Sequence, residues 1–200
     1  MNTSPWSKDR IIGQKRPLQI SHIWGIRIRL ELEGKTRDLA LLNMALDSKL
    51  RGCDLVKLKV SDVAYGSSVS SRATVLQQKT GSPVQFEITK GTREAVAALI
   101  KLGNLHSKDY LFQSRVGSCQ YISTRQYNRI FHGWVGKFGL EDSLYSTHSM
   151  RRTKPYLIYK KTKNLQVIQL LLGHKKLEST VRYLGIEVDD ALEISESIEV

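Results

Sequence analysis

The most informative stretch of the sequence is THSMRRT at residues 147–153, which places His148 and Arg151 three residues apart. On an α-helix this spacing puts both side chains on one face. Residues 169–183 then read QLLLGHKKLESTVRY and separate His174 from Tyr183 by nine positions. The last third of the chain therefore carries two histidines, an arginine and a tyrosine in close succession.

Two further cationic residues stand upstream of this stretch. Arg51 lies in SKLRGCDL, at a break between two predicted helices. Lys79 opens KTGSP, residues 79–83, which is dense in turn-forming residues. The flanking segments are typical of strands, because residues 72–78 are rich in Thr and Val and residues 84–88 alternate between apolar and polar side chains. They predict a β-hairpin with Lys79 at its turn.

In this order the motifs resemble those of the catalytic domain of the tyrosine recombinases, also called phage integrases. That family reads as a Gly-Leu-Arg-x-x-Glu-like box, a hairpin Lys-Thr-Gly, a His-x-Leu-Arg-His and a Leu-Leu-Gly-His, with a Tyr shortly after. The resemblance covers roughly residues 39–184, and its strength lies in the order and spacing of motifs that are weak singly. The matching segments are LRGCDL (50–55), with Asp54 in place of the usual Glu, QKTG (78–81), HSMRRT (148–153) and LLGH (171–174).

The resemblance implies strand transfer at a DNA phosphodiester. Tyr183 is the implied nucleophile, which attacks phosphorus and holds a 3′-phosphotyrosyl link. Because a phenol has a pKa of about 10, it needs a base or strong local positive charge. His148 is the implied general base, and Lys79 the implied general acid for the departing 5′-oxygen.

The other polar groups of the motifs are implied to stabilise charge. Arg51 and Arg151 would donate paired hydrogen bonds to the non-bridging phosphate oxygens, because a guanidinium is planar and keeps its charge. His174 is implied to donate a further hydrogen bond to the phosphate, and Asp54 to orient an arginine without contacting the phosphate itself. The implied catalytic set is Arg51, Lys79, His148, Arg151, His174 and Tyr183, and the predicted DNA-binding residues are Arg152, Lys175 and Lys176.

The charge of the chain also points to nucleic acid. Lys and Arg number 31 and Asp and Glu 19, for a formal net charge of +12 over 200 residues. All 31 basic residues but only 13 acidic ones precede residue 185, so residues 1–184 carry +18 and residues 185–200 carry −6. A strongly basic body favours a polyanionic partner, with nucleic acid ahead of a membrane surface. The acidic tail has two open interpretations, a solvated terminus and a segment that docks on another protomer.

Several other kinds of site are disfavoured by the sequence. The five histidines and two cysteines show no metal-ligand spacing, and neither an HExxH motif nor a GxxxxGK[ST] phosphate loop is present. We therefore expect no metal and no cofactor, and phosphate chemistry carried by cationic side chains. The first twenty residues contain no long apolar run, so we expect no secretory signal, no membrane span and a location in a reducing cytoplasm.

The pattern as a whole predicts an α+β fold, mainly α-helical, in which an integrase-type catalytic domain carries a small antiparallel β-hairpin. We assign residues 1–18 to an N-terminal arm, residues 19–184 to the catalytic domain and residues 185–200 to the acidic tail. Residues 20–32 are ambiguous between helix and strand. Helices are expected at residues 39–48, 54–58, 165–172 and 178–184, and Asn164 and Gly173 are the expected ends of the third. Three more helices are expected to begin at N-caps, namely Thr92, Thr124 and Thr147. In the helix that begins at Thr147 we expect a kink or early break at Pro155.

These features together predict a site-specific recombinase that cuts and rejoins double-stranded DNA without metal or ATP, at the nucleoid of a prokaryote. Two alternatives stay open, DNA relaxation of the type IB topoisomerase kind and a non-catalytic DNA-binding regulator of the same fold. Tyr183 argues against the regulator, because binding needs no nucleophile. The stretch before residue 39 is too short for the family's usual core-binding domain. We therefore expect dimers or tetramers on DNA, or an accessory DNA-bending or core-binding protein.

Overall fold

Helices make up most of the structure, and small antiparallel hairpins complete it. The computed structural model describes residues 14–66, 68–115 and 119–186, together with residues 192, 195 and 196. Within these ranges the helices are α1 (Ile20–Leu32), α2 (Thr36–Ser48), α3 (Gly52–Leu55), α4 (Val60–Val63), α5 (Lys90–Gly103), α6 (Thr124–Lys137), α7 (Thr147–Thr162), α8 (Leu165–Leu172) and α9 (Leu177–Leu184). The strands are β1 (Ala64–Tyr65), β2 (Ser68–Val69), β3 (Arg72–Leu76) and β4 (Pro83–Glu87). The predicted α+β class with a helical majority is confirmed.

Helix α2 forms the centre of the core. Its residues 40–48 are all buried, and it packs against α1, α5 and α7. Three of these buried residues, Asn43, Asp47 and Ser48, are polar, and the first two have partners in neighbouring elements. Asn43 Oδ1 accepts a hydrogen bond from Arg27 Nε at 2.8 Å, and Asp47 Oδ2 accepts one from Thr92 Oγ1 at 2.6 Å. A helix enclosed on all sides can carry such groups only when they are paired, because an unpaired buried polar group is costly.

Residues 20–32, ambiguous in sequence, form helix α1. Ile23, Ile26 and Leu30 are buried at helical spacing against the core. The face opposite them carries further apolar residues that are exposed, namely Ile20, Trp24, Ile28 and Leu32. This second apolar stripe explains why the hydrophobic pattern resembled a strand as much as a helix.

The predicted hairpin is confirmed as β3 and β4. Ala73 pairs with Phe86 and Val75 with Val84 in the antiparallel register, and the inward-facing Ala73, Val84 and Phe86 are buried. A second, two-residue hairpin of β1 and β2 follows α4 and was not predicted. Its strands are too short to show an alternating pattern.

Helices α7, α8 and α9 share a small core of their own. Tyr159, Ile168, Leu172 and Leu184 are buried together, and Tyr183 and Ile186 pack against them. Gly173 ends α8 in the left-handed region with φ of 65°, as predicted, and turns the chain towards α9. This packing brings the residues after Gly173 next to α7.

Three helix starts differ from the predicted caps. The N-caps are Thr89, Ser123 and Ser146, in place of Thr92, Thr124 and Thr147. In the last two cases a serine one residue earlier supplies the capping oxygen, such as Ser146 Oγ, which accepts from the backbone N of His148 at 3.2 Å. The Thr92 hydroxyl is instead used inside the core, where it binds Asp47.

Of the kink or early break expected at Pro155, the early break is wrong, because α7 continues to Thr162. A proline inside a helix removes the N–H that would bond to the carbonyl four residues earlier, here that of Arg151. Pro155 is buried, so tertiary packing holds the helix across this gap. The predicted start of α3 is also late, since the helix covers Gly52–Leu55 and a separate α4 follows.

The last residues of the predicted N-terminal arm pack on the domain. The backbone N of Arg16 donates to Leu144 O at 2.9 Å, and that of Leu18 donates to Thr153 Oγ1 at 2.9 Å, with Leu18 buried. Residues 1–13 and most of the tail lie outside the described residues. Among the helices that the described ranges contain, none is both long enough and apolar enough to cross a membrane.

Candidate active site

The buried side chain of Gln77 connects Arg51 with the rest of the site. Arg51 is the N-cap residue of α3, and its Nη1 donates to Gln77 Oε1 at 2.6 Å. Gln77 directly follows β3, and its Nε2 donates to Leu172 O, at the end of α8, at 3.4 Å. The hairpin, the start of α3 and the end of α8 are thereby tied together at one buried amide.

Arg151 binds the same carbonyl. It projects from α7 and is buried, and its Nη2 donates to Leu172 O at 3.1 Å. Its Nε and Nη1 are buried with no hydrogen-bond partner among the described residues. A buried guanidinium with unused N–H groups is a binding site for an anion, because unsatisfied buried donors are costly.

Asp54 lies behind the two arginines. Its Oδ1 accepts from the backbone N of Gln78 at 2.9 Å, whereas Oδ2 is buried without a partner in the described part of the chain. Burial lowers the pKa of Arg151, and the negative charge of Asp54 acts in the opposite direction. The carboxylate therefore lies near enough to Arg151 to favour its charged form, and its hydrogen bond anchors the hairpin turn.

Two histidines face the arginines in their neutral forms. His148 lies in the first turn of α7 with part of its surface open to solvent, and the burial of the rest, together with the positive charges of Arg151 and Arg51, lowers its pKa. The same causes lower the pKa of His174 to about 4. His174 Nδ1 contacts the buried Thr180 Oγ1 at 3.1 Å, which leaves Nε2 without a hydrogen-bond partner among the described residues. At neutral pH both rings are uncharged, so His148 is able to accept a proton.

Tyr183 is enclosed by three of the predicted site residues. The ring of His174 meets the Tyr183 ring edge-on, with 5.5 Å between centroids, and the Cζ atoms of Arg151 and Arg152 lie 5.8 and 5.6 Å from the Tyr183 centroid. The Tyr183 Oη is buried and interacts with the Arg151 guanidinium, although no group in the described ranges meets the geometry of a full hydrogen bond to it. Burial raises the pKa of Tyr183, while the charges of Arg151 and Arg152 lower it.

The structure brings together most, but not all, of the predicted set. Arg51, Arg151, His174 and Tyr183 are joined by direct contacts or by shared partners, and His148 is within the electrostatic reach of both arginines. Lys79 is exposed at the hairpin turn and makes no hydrogen bond or ion pair with a described residue. A side chain on an exposed turn is free to reach a bound phosphate.

The three predicted DNA-binding residues differ in exposure. Lys175 and Lys176 are exposed in the connection between α8 and α9. Arg152 is buried, and its Nη1 donates to Lys15 O at 2.9 Å. Contact of all three with DNA stays a prediction, and in this structure Arg152 contacts protein groups.

A buried ion network supports the elements that carry the arginines. Lys49 Nζ donates to both carboxylate oxygens of Glu87, at 2.9 and 2.7 Å, and Lys154 Nζ lies 2.6 Å from both Asp47 Oδ1 and Glu87 Oε1. Lys49 has a φ of 54° and precedes Arg51 by two residues. The network joins the end of α2, strand β4 and helix α7, so it holds the backbone before Arg51 against the helix of Arg151.

Sequence reasoning missed Gln77 as a member of the site. A signal for it exists, because Ala73, Val75 and Gln77 alternate along one face of the hairpin and the first and last of them are buried. A polar residue at the end of such an inward face predicts a buried amide in need of partners. The partners themselves come from α3, α7 and α8 and have no local signature.

Comparisons with known proteins identify the family. The model of the phage integrase family matches residues 26–188. The probable integrase/recombinase YoeC of Bacillus subtilis (strain 168) is 29% identical over 158 residues, which cover 79% of this chain and 82% of YoeC. Tyrosine recombinase XerC of Chlamydia trachomatis serovar L2 is 27% identical over 189 residues, which cover 86% of this chain and 54% of XerC. The chain thus spans about half the length of XerC.

Solved structures share the fold. The crystal structure of XerA recombinase has a TM-score of 0.72 at 19% identity and covers 91% of this chain and 63% of XerA. XerH site-specific recombinase bound to a palindromic difH substrate, in a post-cleavage complex, has a TM-score of 0.71 at 17% identity and covers 93% of this chain and 54% of XerH. With a family model that matches most of its length, the chain belongs to the phage integrase family, the tyrosine recombinases.

Proposed function

We propose that this chain is the catalytic domain of a site-specific DNA recombinase, which cleaves and rejoins DNA through a 3′-phosphotyrosyl intermediate. The observation that carries the proposal is the buried Oη of Tyr183, which interacts with the Arg151 guanidinium and lies beside His174. A buried phenol next to a guanidinium whose Nε and Nη1 bind no described protein oxygen suits attack on a bound phosphodiester.

In the proposed reaction, Tyr183 Oη forms a bond to phosphorus and the bond from phosphorus to the 5′-oxygen breaks. The phenolic proton passes to His148, which is neutral at pH 7 because its pKa is lowered. Lys79 donates a proton to the departing 5′-oxygen. The strand is rejoined when a 5′-hydroxyl attacks the phosphotyrosine and gives its proton to Lys79. The bond from phosphorus to Tyr183 Oη then breaks, and His148 returns the proton to Tyr183. One ester replaces another at each step, so the cycle needs no ATP.

The two arginines are the proposed source of transition-state stabilisation. Arg151 has Nε and Nη1 unused, and Arg51 is held by Gln77 at the other side of the Leu172 carbonyl. The two guanidinium groups would bind the non-bridging oxygens of the phosphate, where negative charge increases as Tyr183 attacks phosphorus. His174 adds a neutral donor through Nε2. We propose that the reaction uses no metal, because the guanidinium groups supply the charge that a metal ion supplies in other phosphoryl-transfer enzymes.

The proposed substrate is double-stranded DNA. The relatives XerH and lambda integrase are solved in complex with their DNA sites, the latter as a dimer on a core site. By analogy we propose that this chain acts as a dimer or tetramer on DNA in the nucleoid of a prokaryotic cell, with the acidic tail docking on a neighbouring protomer. We also propose an accessory DNA-bending or core-binding protein as a partner.

A trapping experiment tests the proposal and finds the DNA site at the same time. The protein is incubated with a pool of nicked duplexes that contain a randomised core, and covalent adducts are isolated on denaturing gels and sequenced. Wild type and Tyr156→Phe should form the adduct, and Tyr183→Phe should not. Tyr156 is a matched control because it is a half-buried tyrosine on the adjacent α7. An adduct that persists in Tyr183→Phe contradicts the assignment of the nucleophile.

A second assay separates recombination from DNA relaxation. Plasmids that carry two copies of the selected site should yield inverted or excised products with wild-type protein. Relaxation of a one-site plasmid without exchange between two sites would favour the topoisomerase alternative, and binding without any adduct would favour the regulator.

A further inference from the structure

Arg152 is a buried cation that the proposed reaction does not use. It follows Arg151 on α7 and is only 7% exposed, and its Cζ lies 5.6 Å from the centroid of the Tyr183 ring. Arg151 packs on the same ring at 5.8 Å. The ring of Tyr183 thus packs against two consecutive guanidinium groups, and one of them, that of Arg151, has buried N–H groups without a described partner.

The N-terminal segment anchors Arg152 on its other side. Arg152 Nη1 donates to Lys15 O at 2.9 Å, and Nη2 donates to Gln14 Oε1. The Nε2 of Gln14 donates in turn to the carbonyl of Arg182, the residue before Tyr183. Gln14 therefore connects Arg152 directly to the backbone of α9.

The end of α9 is shaped to accept this connection. Gly185 is the C-cap of α9 with a φ of 68°, and a Cβ atom there would lie 2.6 Å from Gln14 Oε1 and 3.3 Å from Arg152 Nη2. The left-handed conformation favours glycine, and a side chain here would displace the Gln14 amide from its place beside Arg152. We call Gln14, Lys15 and Arg152 the brace.

The groups that accept hydrogen bonds from Arg152 are electrically neutral, so they do not cancel its positive charge beside Tyr183. Arg152 bonds to a backbone carbonyl and an amide oxygen, its Nε has no partner, and no described Asp or Glu pairs with it. Burial of a guanidinium without a carboxylate is costly, since nothing nearby cancels its charge. That cost falls when the adjacent phenol becomes a phenolate, so the buried charge favours the reactive form of the nucleophile.

We propose that Arg152 is a positioning residue for Tyr183, fixed by Gln14 and Lys15 so that the ring stays beside Arg151 and the phenolate is stabilised. The inference rests on the proposed function of Tyr183 as nucleophile. Arg152 acts through Tyr183 and does not touch the phosphate.

The test compares the full chain with Arg152→Gln, Arg152→Lys and Gln14→Ala, with Arg182→Gln as the control. Arg182 is exposed on α9 beside Tyr183, so its variant removes the same charge without touching the brace. The first readout is the pH dependence of adduct formation on nicked DNA. Loss of one nearby buried charge in Arg152→Gln should move the rate–pH profile upward by about one unit and slow the reaction about tenfold at pH 7. Arg152→Lys should recover the position of the profile.

The second readout needs no DNA. Protein labelled with [13Cζ]-tyrosine reports the ionisation of Tyr183, whose signal is assigned by its absence in Tyr183→Phe. The titration midpoint should rise in Arg152→Gln and stay unchanged in Arg182→Gln. In Gln14→Ala, Arg152 keeps its charge but loses one of the hydrogen-bond partners that fix it beside Tyr183. The Tyr183 resonance should therefore shift.

Each outcome bears on the proposal. If Arg152→Gln lowers the thermal unfolding midpoint but leaves the rate–pH profile and the Tyr183 titration unchanged, Arg152 is merely structural and the proposal is overturned. If Arg152→Gln does not fold, an unaltered Tyr183 resonance and adduct rate in Gln14→Ala would overturn it instead. If Tyr183→Phe still forms the adduct, the proposed function fails, and the 13C titration alone then decides whether Arg152 controls Tyr183.

Discussion

Arg51 Nη1 and Gln77 Oε1 are joined at 2.6 Å, and the amide of Gln77 is 1% exposed. The same amide binds the carbonyl of Leu172, which also accepts from Arg151. The two arginines of the site are therefore not placed independently. One buried glutamine and one helix-terminal carbonyl set the distance between them.

Replacing Gln77 with alanine should disturb this arrangement. The change leaves Arg51 without its partner and removes one of the two donors to the Leu172 carbonyl, which costs about 1–3 kcal/mol of the free energy of unfolding. Adduct formation should fall roughly 10- to 100-fold, because small displacements of a catalytic group are costly. Gln85→Ala, at an exposed position of β4, is the control and should behave as wild type. Equal adduct rates in the two variants would show that Gln77 does not position Arg51.

Removing Glu87 should destabilise the domain strongly. Lys49 has a fully buried side chain whose ammonium binds both oxygens of Glu87, so Glu87→Ala leaves a buried charge without its partner. A loss of about 3–5 kcal/mol in the free energy of unfolding is expected, measured by urea denaturation. The exposed pair of Lys90 and Glu94 provides the comparison. Glu94→Ala should cost no more than about 0.5 kcal/mol, and similar losses in both variants would contradict a buried network.

Acidification should weaken the fold through His174. Its pKa is about 4 in the folded chain, against 6.5 as the ordinary value, so between these values the unfolded chain binds more protons. Its contribution to stability is complete above pH 6.5 and is lost as the pH falls towards 4. His174→Gln should therefore lose less stability than wild type between pH 7 and pH 4.5, as measured by thermal unfolding.

The control for this titration is His106→Gln, at an exposed position far along the chain from the site. It should keep the wild-type difference in stability between the two pH values. If His174→Gln shows the same difference as His106→Gln, the His174 ring is not held neutral by its surroundings.

Gly173 should not tolerate a side chain. Alanine there must adopt a φ of 65°, and its Cβ would lie 2.7 Å from Val84 Cγ2 on the hairpin. Gly139 is a matched control, since it has a φ of 75° with open space around it. Gly139→Ala should cost about 1–2 kcal/mol of unfolding free energy for the left-handed conformation alone.

Gly173→Ala should cost more than this, because the hairpin must move away. His174 follows directly, so adduct formation should fall as well. Equal losses of stability in the two glycine variants, measured by urea denaturation, would contradict close packing between α8 and β4.

Local sequence patterns were sufficient for much of the fold. The alternation in residues 84–88 predicted β4, and Asn164 and Gly173 predicted both ends of α8, because strand periodicity and helix capping depend on neighbouring residues. Pro155 does not cause the early break that was one of its two expected effects, for the complementary reason. Its local effect is to break a helix, and only the buried surroundings of α7 show why the helix continues.

The candidate site, like the fold, could be predicted from the sequence only in part. The order of Arg51, Lys79, His148, Arg151, His174 and Tyr183 is a property of the sequence, and it was enough to indicate the family. The role of Gln77 as a shared partner, and the burial of Arg152 against Tyr183, are properties of the tertiary structure.

The sequence by itself determined which chemical groups are present, their order and most of the elements that carry them. Only the tertiary structure decided which buried polar groups meet, since Gln77 binds Leu172 across 95 positions and Arg152 binds Lys15 across 137. The physical reason is that periodicity records whether a side chain faces the core, whereas the partner that makes its burial tolerable comes from a distant segment brought near by packing.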